Sequence, residues 1–111
     1  MPLPALERQR VDAALQPFCA ARAHPRRRLD YRVRGNSVTL FELVPPLRGL
    51  STEWVDIVVA QFRFDPVRLS WALYCADRNS RWHPYLEARP TKHFHQLLNA
   101  VVEDVTCIFW G

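Results

Sequence analysis

Apolar and polar residues recur along this chain with two different periods, and the change of period separates helices from strands. Over residues 4–22 the apolar positions recur every three to four residues, which predicts an amphipathic helix. Its packing face is expected to carry Leu6, Val11, Leu15, Phe18, Cys19 and Arg22. Pro17 falls inside this segment and lacks a backbone N–H, so we expect either a kink or two short helices.

The C-terminal part of the chain has a second helical stripe and an aromatic end. The stripe consists of Phe94, Leu97, Leu98, Val101 and Val102. Thr91 is expected to cap this helix and Asp104 to end it. Residues 107–111 include Phe109 and Trp110, and we expect them to form an extended segment docked on the core. A frayed end would leave two large rings in water.

Between the helices the apolar period is two, which predicts strands. Apolar residues alternate with charged ones from Leu29 to Val33. Gly35 then takes the first central position of a two-residue turn, where a type II′ hairpin needs a positive φ. The returning strand over residues 37–44 therefore places Val38 opposite Val33.

Three more strands follow a loop through Gly49. They are expected at about residues 54–64, 68–76 and 81–86. A four-residue turn before the last of them pairs Cys75 with Trp82. The order α-β-β-β-β-β-α predicts a single α+β domain over residues 1–111, an antiparallel five-stranded meander sheet with both helices on one face. The inner face of the sheet, toward the helices, is expected to carry Val58, Ala60, Phe62, Phe64, Leu69, Trp71, Leu73, Cys75, Trp82 and Leu86.

Charge and cysteine content bound the possible functions broadly. The formal net charge is +4, and the excess of positive charge lies in the first third of the chain. Residues 1–34 contain eight arginines and three acidic residues. The three cysteines are widely spaced and odd in number, so we expect reduced core thiols without a disulfide framework. No stretch approaches the ~20 apolar residues of a membrane span, and the N-terminus lacks the apolar core of a secretory signal. We therefore expect a cytoplasmic protein that does not enter a membrane.

Several segments of the chain resemble a known family. They are the helix with Phe18-Cys19 followed by an arginine-rich loop, the strand from Val38 to Glu42, the strand Arg81-Trp82-His83 and the ending from Cys107 to Gly111. In these segments the chain resembles a small bacterial family catalogued as a domain of unknown function, number three thousand and twenty-four. The resemblance covers nearly the whole chain. It implies a bacterial protein, and it brings no activity, cofactor or site residue to this chain.

Sequence motifs for catalysis are absent. The chain contains no phosphate-binding loop, no Gly-x-Ser-x-Gly and no His-Glu-x-x-His motif, so we expect a protein that is not an enzyme and uses no cofactor. On a helix, His93 and His95 would point in different directions and would chelate a metal only if the segment were extended, so no metal site is expected. The open alternative is a small enzyme that uses His83, with Asp77 in the nearby turn, as an acid–base group.

Two further positions carry charges that need an explanation. Glu42 has the parity of the inner face, so it needs a neutralising partner such as Arg22 or solvent access at a sheet edge. The alternative is a functional carboxylate in a pocket. Arg89 and Lys92 lie at the N-terminal end of the second helix, where free N–H groups also attract anions. They form a candidate phosphate site, although an exposed helix tolerates such charges without one.

The outer face of the sheet is the best candidate for a binding surface. It is expected to carry the candidate residues Arg32, Arg34, Phe41, Arg63, Tyr74, Arg81, His83 and Tyr85. Arginine and aromatic side chains together bind single-stranded nucleic acids, but long polar side chains also cover the wet face of many antiparallel sheets. We therefore predict a non-enzymatic binding module whose partner is another protein or a second copy of the chain, with nucleic acid as the alternative.

Overall fold

This computed structural model describes residues 2–46 and 53–110. These residues form two helices and five strands with their connecting turns and loops. The elements are α1 (Ala5–Ala21), β1 (Arg28–Arg34), β2 (Ser37–Val44), β3 (Val55–Asp65), β4 (Ser70–Ala76), β5 (Trp82–Pro84) and α2 (Phe94–Glu103). The strands lie in sequence order, each antiparallel to the next. The predicted α+β meander is therefore confirmed. The predicted loop through Gly49 lies outside the described residues.

Helix α1 continues through Pro17, so the structure contains one helix where two were an option. The proline removes one donor from the helix, but Pro17 and Ala13 are both exposed, so the carbonyl of Ala13 can bond to water instead. The buried positions of α1 are Glu7, Val11, Leu15 and Phe18. Leu6, expected on this face, is 57% exposed, and the face begins at Glu7 instead.

The hairpin of β1 and β2 has the predicted register, and its partner β3 adds an irregularity. Gly35 has a φ of 57°, and Val33 lies opposite Val38. Between β2 and β3 the pairing shifts, because Leu40 lies opposite Ala60 while Phe41 lies opposite Val58. The extra residue of this bulge, Val59, is buried at 5% exposure. Val58, expected on the inner face, therefore lies on the outer face beside Phe41.

The register of β4 and β5 differs from the prediction by one residue. Ala76 lies opposite Trp82, and the N–H of Asp77 donates to the carbonyl of Arg81 at 2.9 Å. The loop inside this pair has three residues and ends at Ser80, whose φ of 61° is the left-handed value that a three-residue hairpin loop requires. A one-residue shift moves every side chain to the other face, so Trp82 lies half-buried on the outer face.

Two leucines assigned to the inner face are also exposed. Leu69 is 58% exposed and has a φ of 52°, because it belongs to the turn between β3 and β4 and not to β4 itself. Leu86 is 88% exposed and follows β5, which ends at Pro84. Both strands are shorter than predicted, because β4 begins at Ser70 and β5 ends at Pro84.

An aromatic cluster joins the sheet to α2. The fully buried ring of Trp71 lies 5.1 Å from that of Phe64 and 5.0 Å from that of Phe94, which also packs 4.7 Å from Phe62. The backbones of Trp71 and Thr91 exchange hydrogen bonds of 2.7 and 3.0 Å. Thr91 is therefore not the cap of α2, which begins at Phe94 with His93 as its N-cap residue.

The C-terminal segment is docked through its aromatic residues. Asp104, with a φ of 45°, ends α2, and its carboxylate accepts the N–H groups of Phe109 at 3.1 Å and Trp110 at 2.9 Å. Phe109 is 8% exposed and packs against the ring of Tyr85 at 4.8 Å. The indole N–H of Trp110 donates to the carbonyl of Val101 at 2.8 Å. The segment consists of turns and bends, so the expectation of an extended conformation is wrong.

The three cysteines are free, but they do not share one environment. Burial, with a smaller contribution from nearby Asp30, raises the pKa of the Cys19 thiol to about 11. Cys75 is buried in the core. Cys107 is exposed and has a φ of 58°, so the prediction of three core thiols is wrong for this residue.

The substitution Phe109→Ala tests the docking of the C-terminal segment. Removing a buried phenylalanine leaves a cavity beside Tyr85 and should lower the free energy of unfolding by about 3–5 kcal/mol in a denaturant titration. The control is Val105→Ala in the same segment, because Val105 is 71% exposed and its loss should change stability little. Equal denaturation midpoints for Phe109→Ala and the wild type would contradict docking.

Candidate functional site

One face of the sheet remains open in the described part of the chain. Both helices and the C-terminal segment pack on the inner face, where the buried core residues of α1, α2 and Phe109 lie. We define the outer face by strand register as Arg28, Asp30, Arg32, Arg34, Ser37, Thr39, Phe41, Leu43, Asp56, Val58, Gln61, Arg63, Tyr74 and Trp82. Arg32 and Arg34 are exposed on it, while Phe41 is buried at 7% exposure beneath its neighbours.

Arginine side chains lie over aromatic rings at three places on or beside this face. The distances from guanidinium carbon to ring centroid are 4.8 Å for Arg28 over Trp54, 4.8 Å for Arg32 over Phe41 and 3.8 Å for Arg63 over Tyr74. Each such pair contributes about 0.5–1 kcal/mol at an exposed site. The pairs hold long side chains in place, so the face presents cationic groups in fixed positions.

A chain of hydrogen bonds crosses the middle of the outer face. The Nε of Arg63 donates to Gln61 at 2.7 Å, and the amide of Gln61 donates in turn to the hydroxyl of Thr39 at 3.0 Å. Nearer β1, a guanidinium nitrogen of Arg32 lies 3.4 Å from the carboxylate of Asp56. These contacts run along the sheet and orient its polar groups, because no described helix packs over them.

A groove of about 380 Å³ runs across this face. It is lined by Arg32, Arg34, Ser37, Thr39, Val58, Gln61 and Trp82. Arg34 has no hydrogen-bond or ion-pair partner among the described residues, so its charge is available to a ligand. Trp82 supplies an aromatic wall. The sequence-based register missed Trp82, and the signal that could have placed it was the length of the turn at residues 77–81.

Three residues that were expected on the outer face lie elsewhere. Tyr85 is 6% exposed and belongs to the core, where its hydroxyl accepts a hydrogen bond from Thr106 at 3.2 Å. His83 lies opposite Cys75 and so has the parity of the inner face, although its side chain is 56% exposed. Arg81 precedes β5 and is exposed in the turn. The corrected register accounts for all three positions.

His83 and Asp77 form a clasp that closes the turn before β5. The Nε2 of His83 lies 2.8 Å from one carboxylate oxygen of Asp77, and the N–H groups of Asn79 and Arg81 donate to the other oxygen at 2.8 and 2.9 Å. The hydrogen bond from His83, followed by that from Arg81, lowers the pKa of Asp77. These contacts stabilise a hairpin turn, which is an alternative to the acid–base role considered for His83.

The structure separates the two residues of the candidate phosphate site. Lys92 lines a cavity of about 650 Å³ between α1 and the start of α2, together with Arg10, His93 and His95. Arg89 lines a different cavity, beside Pro90. The His93 and His95 rings lie 5.8 Å apart in the same cavity, because His93 has an extended backbone and is not part of the helix. Within residues 2–46 and 53–110, no three histidine, cysteine, aspartate or glutamate side chains lie close enough together to hold a metal ion.

Glu42 lines a smaller cavity of about 230 Å³. The lining residues are Arg22, Arg27, Leu29, Glu42 and Trp110. The partner of Glu42 is Arg27, whose Nε lies 3.8 Å from a carboxylate oxygen. Arg22, the expected partner, instead places its guanidinium over the ring of Phe18 at 3.8 Å. A carboxylate, two arginines and an indole therefore meet at one place on the helix side of the sheet.

Comparisons with known proteins give a family and no relative of known activity. A protein-family model described as a domain of unknown function, DUF3024, matches residues 3–111. No curated protein and no solved structure matches the chain. Among the described residues, neither helix combines the length and apolar character that crossing a bilayer requires.

The substitution Asp77→Ala tests the clasp through its pH dependence. Because the pKa of Asp77 in the folded protein lies below its ordinary value of 3.8, the charged carboxylate stabilises the fold. That contribution is complete above the ordinary pKa and is lost as the pH falls through the lowered one. We expect the melting temperature of Asp77→Ala to fall below that of the wild type at neutral pH, and the difference to narrow in acid. Glu87→Ala, an exposed carboxylate outside the turn, is the control. A difference that does not vary with pH would contradict this account.

Proposed function

The chain belongs to DUF3024, a family described as a domain of unknown function, and we propose from its own surface that it is a non-enzymatic module whose outer face binds single-stranded nucleic acid. The open alternatives at the sequence level were a protein partner, self-association and a small enzyme. An open face with arginines and aromatic rings favours nucleic acid among them. The free thiols agree with a reducing compartment, and we propose that the protein acts in the cytoplasm.

The groove between Arg34 and Trp82 is the observation that carries this proposal. Arg34 offers an unpaired cation for a phosphate, and Trp82 offers a ring on which a base can stack. Thr39 and Gln61 lie between them and supply hydrogen-bonding groups for base edges. Phosphate contact, stacking and edge recognition are the three elements that sheet platforms use for single strands.

The rest of the outer face extends the same chemistry beyond the groove. Arg63 over Tyr74 and Arg28 over Trp54 present guanidinium groups, and bases stack on guanidinium planes as they do on aromatic rings. Asp56 neutralises part of the charge of Arg32. Among the described residues that line the groove, Arg34 is therefore the arginine without an ion-pair partner. A single strand suits this surface better than a duplex, because its bases can splay onto the sheet.

The substitution Arg34→Ala tests the phosphate contact. If Arg34 neutralises one phosphate, its loss should weaken binding of a labelled oligouridine and reduce the slope of log affinity against log salt by ~0.7. Trp82→Ala should weaken binding by about 1–3 kcal/mol if one base stacks on the indole. Both effects are measured by fluorescence anisotropy across a series of salt concentrations.

The matched control for Arg34 is Arg8→Ala. Arg8 is an exposed arginine of α1, on the helix side of the sheet, and its loss changes the net charge by the same amount. It should leave affinity and salt slope unchanged. Binding that does not depend on salt, or that falls equally in both variants, would refute the outer face as the site.

The unpaired edge of β3 favours self-association as a second candidate function. Strand β4 pairs with β3 only from Gln61 to Asp65, so in the described structure the preceding half of β3 has a strand neighbour on one side alone. That half exposes Val55 at 52% and Ile57 at 48%. An apolar strand with a free edge is a template for pairing with another strand, and an antiparallel pair around Ile57 would place no like charges opposite each other.

The substitution Ile57→Lys tests this edge. A lysine on an edge strand opposes pairing, so a dimer of the wild-type chain should dissociate in the variant. The measurement is sedimentation equilibrium over a range of protein concentrations. Val67→Lys is the control. It adds the same charge, but Val67 is 90% exposed in the turn after β3 and lies outside the strand edge. A wild-type chain that stays monomeric throughout the range would exclude this candidate.

A further inference from the structure

The cavity at Glu42 lies apart from the outer face and has the composition of a ligand site. Glu42 lies on the inner face of β2, opposite Leu29 of β1. Its side chain is 13% exposed, and that exposed part opens into the cavity of about 230 Å³. Arg22 and Arg27 approach from the segment after α1, and Trp110 approaches from the other end of the chain.

The carboxylate of Glu42 has no hydrogen-bond donor within the described part of the chain. Arg27 is its ion-pair partner, but the 3.8 Å between Nε and the carboxylate oxygen exceeds hydrogen-bond range, and the Arg27 side chain is 67% exposed. A largely buried carboxylate usually accepts at least one hydrogen bond, and its two oxygens can accept several. The acceptors of Glu42 therefore remain available to a ligand that enters the cavity.

The other walls of the cavity are fixed before any ligand arrives. The indole N–H of Trp110 is bonded to the carbonyl of Val101, and its backbone N–H to the carboxylate of Asp104. The guanidinium of Arg22 lies over Phe18 and also donates to the carbonyl of that residue at 3.3 Å. A site whose side chains are already held in place loses less conformational entropy on binding.

Charge and shape narrow the chemistry of the ligand. Two arginines against one carboxylate disfavour a cation such as a guanidinium or an ammonium and favour a group that carries negative charge. An indole wall favours a flat ring that can stack. The volume is below the ~300–1,000 Å³ of pockets for drug-sized molecules, which suits one base.

Among the nucleobases, guanine alone presents two adjacent N–H donors on its Watson–Crick edge. Adenine and cytosine would turn a ring-nitrogen lone pair toward the carboxylate, and uracil presents one donor between two carbonyls. We propose that this cavity binds a guanine nucleotide. The base occupies the cavity, where it stacks on Trp110 and its N1–H and N2–H groups donate to Glu42. The ribose and phosphate lie outside, toward the exposed side chains of Arg22 and Arg27. This site does not depend on the outer face, and either could exist without the other.

Calorimetric titration of the wild-type chain with four ligands tests the proposal directly. Guanosine monophosphate should bind most tightly. Inosine monophosphate lacks the N2 group and adenosine monophosphate lacks both donors, and each should bind roughly tenfold to a hundredfold more weakly. Guanosine should also bind more weakly because it lacks the phosphate. Equal affinity for the guanine and adenine nucleotides, or no heat with guanosine monophosphate, would overturn the proposal.

Variants separate the two halves of the site. Glu42→Gln should abolish the preference for guanine over adenine, whereas Glu103→Gln, an exposed glutamate on α2, should preserve it. Arg27→Ala should weaken binding of guanosine monophosphate more than that of guanosine, because only the nucleotide offers a phosphate to Arg27. Retention of full guanine preference in Glu42→Gln would refute the assignment. If Glu42→Gln does not fold, the four-ligand series on the wild type still decides the question.

A free nucleotide and the end of a nucleic-acid strand offer the same chemistry to this cavity. A trinucleotide with a 5′-phosphorylated guanosine distinguishes them. Tighter binding than guanosine monophosphate would assign a strand end, and weaker binding would assign the free nucleotide. Repeating the titrations with Arg34→Ala separates this site from the outer face, because any binding lost in that variant belongs to the groove, whereas the preference for guanine over adenine should persist.

Discussion

Trp71 is the buried residue that attaches α2 to the sheet through both its side chain and its backbone. Its ring packs against Phe64 and Phe94, and its backbone exchanges two hydrogen bonds with Thr91 just before the helix. The chain entering α2 is therefore attached to β4 by both apolar burial and backbone pairing. Because α2 is placed in this way, the residues that follow Asp104 return over the sheet, where Phe109 can pack on Tyr85.

Packing both helices and the C-terminal segment on one face gives the two faces of the sheet different physical characters. The inner face is covered by α1, α2 and the C-terminal segment, and its apolar side chains pack against them. The outer face is stabilised by contacts along the sheet, such as Arg63 over Tyr74 and the hydrogen bonds from Arg63 through Gln61 to Thr39. Polar side chains on a sheet face that no described helix covers can replace contacts with one another by contacts with a ligand. The core is not disturbed by that exchange.

The first hairpin follows one local rule, whereas at the last hairpin two local rules compete. The glycine turn at Gly35 and the alternation in β1 fix the first hairpin, and its register was predicted correctly. At the last hairpin the length of the loop depends on Ser80 accepting a left-handed backbone, which costs energy that the hydrogen bonds to Asp77 help to offset. Residue types alone did not show that balance, so Trp82 was assigned to the wrong face.

The sequence by itself determined the order of elements, the meander and most of the inner and outer positions, because periodicity records which side of a strand or helix is buried. Five candidate residues, Arg32, Arg34, Phe41, Arg63 and Tyr74, lie on the outer face of the structure. Only the tertiary structure decided that Trp82 joins Arg34 in one groove and that Trp110 meets Glu42. Those pairs are far apart along the chain, and their proximity arises from turn lengths, a bulge and the packing of α2, whose effects combine only when the whole fold is assembled.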